Sequence, residues 1–164
     1  MMTQTAGEIV TILIWGFVAT AALSGVMFGA QRLGYSRLSL PFLIGTMFTG
    51  DRASANAAGL LVYLLGGWLF AFMYYFIFAS FGRTGWHLGA ILGAVHGFVL
   101  LVMFLPLLPH YHPRMASEYD GPGHSRRLQL PGFLALHYGY RTPLTTILAH
   151  AVYGAILGSQ LAVR

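Results

Sequence analysis

Four stretches of this chain, at about 9–30, 57–81, 87–108 and 142–163, each run for 18 or more residues without a charged side chain. At 1.5 Å per residue, each is long enough as a helix to cross a hydrocarbon core of about 30 Å. A soluble domain would have to bury all four around nine arginines and four carboxylates, which are 8 % of its 164 residues against roughly 25 % in soluble domains. The expected fold is all-α: one polytopic membrane domain, residues 1–164, with four transmembrane helices.

The opening "MMTQTAGE" has no Arg or Lys before the first apolar run, and that run is about 22 residues long where a signal-peptide core has about 7–15, so helix one is expected to stay in the protein. The chain has no cysteine, which excludes disulfides, thiolate metal sites and cysteine nucleophiles. Its cations are all arginine, a composition expected of a GC-rich bacterial genome. No arginine cluster combines with a base-stacking platform, so nucleic acid is not an expected partner, and phospholipid head groups are. Arg32, Arg37, Arg52, Arg114, Arg126, Arg127 and Arg141 fall in the two longer loops, against Arg83 and Arg164 on the other side. By the positive-inside rule the long loops are cytoplasmic and both termini outside, in a bacterial inner membrane.

Two shorter apolar pieces, about 38–50 and 128–140, are too short to span and are expected to be interfacial or re-entrant. Ser39 and Pro41 supply a helix start in the first and Gly50-Asp51 a stop; Thr142 and Pro143 start helix four after the second. Both pieces contain L-x-L-P, with Arg52 or Arg141 ten or eleven residues after the proline and Tyr63 or Tyr153 22 residues after it. Two readings stand: a parallel two-fold repeat of helix, interfacial segment and helix, or recurrence of short words in apolar sequence.

In "GWHLGAILGAVHG", Gly85, Gly89, Gly93 and Gly97 recur every fourth residue. At about 100° per residue they form one small-residue face, a device that brings helices close within lipid. Gly25 and Gly29 in helix one, and Gly154 and Gly158 in helix four, repeat the pattern. His96 lies inside the helix-three glycine face, and His150 sits on a stripe with Thr146, Gly154 and Gly158. Their expected depths differ by only about 5 Å, so the two imidazoles are expected to face each other. Either they are neutral partners in a polar network, or they bind a haem or other tetrapyrrole, or they serve permeation.

Loop three adds His110, His112, Glu118 and His124, which are metal-ligand types without a defined motif. No catalytic motif is visible. With "GTMFTGDR", "LPHYHPRM" and "HAVYGAILG", residues 40–160 resemble a loose set of bacterial four-span inner-membrane proteins with no assigned activity. The resemblance implies a polytopic bacterial protein and transfers no functional residue. The leading expectation is a helix-packing structural or accessory subunit of a larger or homo-oligomeric membrane complex. The alternative is a small cofactor-binding or transport protein using His96 and His150.

Overall fold

The computed structural model describes residues 2–117, 121 and 123–161. Those residues form helices without strands: α1 (Met2–Arg32), α2 (Leu40–Gly45), α3 (Arg52–Phe81), α4 (Trp86–Val99), α5 (Leu105–Tyr111) and α6 (Thr142–Gln160). A π-helical segment, Leu100–Phe104, joins α4 to α5, and a 3-10 turn, Phe133–Tyr138, precedes α6. Three helices are long and apolar enough to cross a membrane: Ala6–Arg32, Arg52–Phe81 and the continuous rod Trp86–Tyr111.

That rod is wound differently from the regular helix expected over 87–108. Pro106 has no N–H to give to the carbonyl four residues back, at Val102, and its ring crowds that carbonyl. The wider turn at Leu100–Phe104 lets the backbone pass the proline while staying helical.

The chain divides into two compact units. The first comprises residues 1–26, 64–97 and 147–164. In it α1 and α3 meet where side chains are smallest. A Cβ on Gly16 would lie 2.9 Å from the Ala71 methyl and 3.0 Å from the Trp68 ring, and a Cβ on Gly67 would strike the Thr20 hydroxyl. One polar bond crosses that contact, the Trp68 indole N–H donating to the Leu13 carbonyl at 2.9 Å, while the Thr20 hydroxyl is satisfied within α1 by Gly16 O at 2.7 Å.

The second unit comprises residues 27–63 and 98–146. Here α2 starts as expected, with Ser39 at its N-cap position and Pro41 in its first turn. It lies against the start of α3 so closely that a Cβ on Gly45 would strike the Ala55 carbonyl, and one on Gly59 the Pro41 carbonyl. Asp51 ends the turn and also starts α3, its carboxylate accepting the Ser54 N–H at 2.8 Å. That bond holds the Asp51 carboxyl below its ordinary range.

The second L-x-L-P piece does not take the backbone of the first. Where α2 is right-handed, Gly132, Leu134 and Ala135 have φ of 70°, 53° and 57°, which coils the chain into a left-handed turn. Ala135 is fully buried in it. The two pieces therefore share a sequence word and not a conformation.

Candidate functional site

The glycines of α4 face α6. An added Cβ at Gly89 would strike the Gly154 carbonyl, one at Gly93 the His150 carbonyl, and one at Gly97 would come within 3.1 Å of the His150 Cβ. On α6, Gly154 meets the Gly89 carbonyl and Gly158 the Gly85 carbonyl. Backbone thus touches backbone over three turns, the close approach that small residues permit in a membrane.

Three of the eight packing glycines differ from expectation. Gly85 contributes its carbonyl to this contact, but it precedes α4, has a φ of +148° and has open space where its Cβ would be. Gly25 and Gly29 have nothing within 4 Å of a Cβ. Spacing places residues on one side of a helix but does not say which side a neighbour takes. In α1 the neighbour took the side of Gly16 and Thr20, glycine contacts that sequence reasoning missed.

His96 and His150 meet across the α4–α6 contact, with ring centroids 4.9 Å apart and planes at 71°. His150 is only 4 % exposed. Phe70 covers His96 at 4.1 Å between centroids, and the Tyr74 hydroxyl lies 3.5 Å from its Nδ1. Tyr153 packs edge-on to Tyr74 at 5.6 Å and donates its own hydroxyl to the Gly67 carbonyl at 2.6 Å. The cluster therefore joins α3, α4 and α6 through two imidazoles and two phenols. The meeting of α4 and α6 at these imidazoles was expected from the sequence; the part of α3, through Phe70 and Tyr74, was not.

A tetrapyrrole does not fit between these imidazoles. With metal–nitrogen bonds of about 2 Å, two trans ligands would hold their centroids more than about 6 Å apart with a flat macrocycle between them. Here they are 4.9 Å apart, and the Gly93 and His150 backbones close the slot through which the ring would pass. The glycines make room for the facing helix instead of a ligand.

The loop-three histidines do not converge either. Among the described residues no three of His, Cys, Asp and Glu gather closely enough to hold a metal; Glu118 lies outside the described residues. His110 and His124 are exposed. His112, 2 % exposed, has both nitrogens engaged: Nδ1 accepts the Arg114 N–H at 3.1 Å, so Nε2 carries the proton, with the Leu43 carbonyl at 3.0 Å and the Thr46 hydroxyl at 3.2 Å. Burial pushes its pKa down. Arg114 donates to the Thr46 carbonyl at 2.7 Å and the Met47 carbonyl at 3.3 Å, satisfying the C-terminal end of α2. The words "GTMFTGDR" and "LPHYHPRM" are thus two sides of one clamp.

These features define a class, an all-helical protein with three helices able to span a membrane and glycine-mediated packing. No protein-family model, curated protein or solved structure matches the chain.

Proposed function

We propose that this chain is a four-span protein of a bacterial inner membrane that serves as a structural subunit, assembling with copies of itself or with other membrane subunits through α3. The observation that carries this reading is the exposure of α3. Only 11 % of its apolar window is buried, against 28 % in each of the other two candidate spans. Leu69, Met73 and Phe76 stand out from it along one side, bordering an apolar groove of about 470 Å³.

Two further observations support the membrane arrangement. The fourth span, α6, is 19 residues and about 28 Å long, close to the hydrocarbon thickness. Its polar residues Thr142, Thr146 and His150 are buried, while Leu144, Leu148 and Val152 form its exposed stripe. An apolar outer face suits lipid even though the helix as a whole is only moderately apolar. The long loops carry Arg32, Arg37, Arg52, Arg114, Arg126, Arg127 and Arg141, an arginine excess that the positive-inside rule reads as cytoplasmic long loops and external termini.

Because the chain lacks cysteine, single substitutions report cleanly. Met73→Cys or Phe76→Cys should cross-link in native membranes, to a second copy or to a reproducible membrane partner, while Leu144→Cys on the exposed side of α6 should not. A monomer with no cross-link from any exposed α3 position would overturn the assembly role.

A further inference from the structure

The second unit holds a small cavity, about 170 Å³, lined by Arg37, Ser39, Phe42, Leu43, Gln129 and Tyr138 among others. That is five to six times the roughly 30 Å³ share of one water, enough for a phosphate group and part of what it esterifies. Its lining combines the polar Arg37, Ser39 and Gln129 with the apolar Phe42, Leu43 and Leu128, and includes no acidic residue.

Arg37 is exposed but not loose. Its backbone N–H donates to the Tyr138 carbonyl at 2.7 Å, and one guanidinium nitrogen donates to the His137 carbonyl at 2.7 Å. Beside it Ser36 takes the Leu38 N–H at 3.1 Å and shares a hydrogen bond with Thr142 at 2.9 Å. The guanidinium has five N–H donors and the His137 carbonyl occupies one nitrogen, so a planar fork is left for an oxyanion. Tyr138 gives its hydroxyl to the Gln129 carbonyl, and burial pushes its pKa up to about 12, so it brings no negative charge to the cavity. Arg37 follows the end of the first candidate span, Arg32, by five residues. The unit around it carries seven of the nine arginines.

We propose that this cavity binds the phosphate of an anionic phospholipid, with Arg37 as the anion-binding group and Phe42 and Leu43 against the glycerol and first methylenes. The shared chemistry is a phosphate oxyanion, and lipid is the source that explains apolar residues in the same lining as the arginine. Preorganisation of Arg37 by the His137 and Tyr138 carbonyls makes this a site rather than one more basic residue near a surface.

The test is native mass spectrometry of the full chain released from an equimolar mixture of phosphatidylcholine and phosphatidylglycerol. Wild type should retain phosphatidylglycerol preferentially, and Arg37→Gln should reduce that retention about tenfold, as loss of a charge-assisted bond implies. Arg32→Gln, whose guanidinium stacks on Phe28 at 4.6 Å, should not. Should Arg37→Gln fail to fold, Ser39→Trp decides the matter: Ser39 lines the cavity and makes no side-chain cap bond, so a tryptophan there takes up cavity space without altering Arg37 itself. Equal retention by wild type and either cavity variant, or equal loss in Arg32→Gln, would overturn the site. If inorganic phosphate stabilises the protein in pure phosphatidylcholine and displaces phosphatidylglycerol, the ligand is free phosphate and the lipid assignment is wrong.

Discussion

Gly89 and Gly154 each occupy the space that the other's side chain would need: a Cβ on either residue would strike the carbonyl of the other. This reciprocity makes the α4–α6 contact intolerant of substitution from both sides. Gly93→Leu or Gly154→Leu should therefore lower the melting temperature in detergent sharply, with a cost of at least about 1–3 kcal/mol from overpacking. Gly25→Leu and Gly29→Leu, with open space at the Cβ, should melt close to wild type. The reverse order of sensitivity would mean that α4 does not pack on α6 as described.

The imidazole pair should behave as a packed polar cluster. His96→Gln retains a hydrogen-bonding side chain beside Tyr74 and should cost about 1 kcal/mol. His96→Leu should cost more, because it leaves the Tyr74 hydroxyl without that neighbour, and Tyr74→Phe should remove most of the difference between the two variants. A double-mutant cycle on thermal stability measures this coupling directly.

Arg114 should be worth about 1.5–3 kcal/mol as a charged donor to the carbonyls that end α2. Arg114→Gln should loosen the end of α2 from the segment that follows α5, read as faster hydrogen exchange at residues 43–49 while α4 and α6 stay protected. Uniform loss of protection across the chain would instead mark Arg114 as a determinant of global folding.

Acid should weaken the same clamp. The His112 pKa is pushed below its ordinary value of about 6.5, first by burial, so the unfolded chain takes up the proton before the folded one. The stability His112 contributes is complete above about pH 6.5 and is lost as pH falls toward the folded value. Wild type should lose melting temperature between about pH 7.5 and 5, and His112→Gln should lose less over the same range. An unchanged slope in the variant would assign the acid sensitivity to another group.

Topology is open to a direct check. A cysteine at position 120 should be inaccessible to impermeant reagents from the outer face of intact cells, and reporters fused at either terminus should read as external. Labelling of position 120 from outside would invert the proposed orientation.

Much of the architecture is local chemistry and was readable without coordinates. Long charge-free runs must be helical in lipid because every backbone N–H and C=O needs an internal partner there. Ser39 with Pro41, and Thr142 with Pro143, marked helix starts because the residues that supply or forgo the first N–H bonds act within a turn. The approach of His96 to His150 also followed from azimuth and depth alone. What the tertiary structure decided were the relations between segments. It set α6 against the α4 glycines but left Gly25 and Gly29 open, matched His112 and Arg114 to the end of α2, and coiled the second L-x-L-P piece left-handed. A sequence states where a side chain projects from its own helix; which surface meets it is decided by packing among all the helices at once, and that is a property of the folded whole.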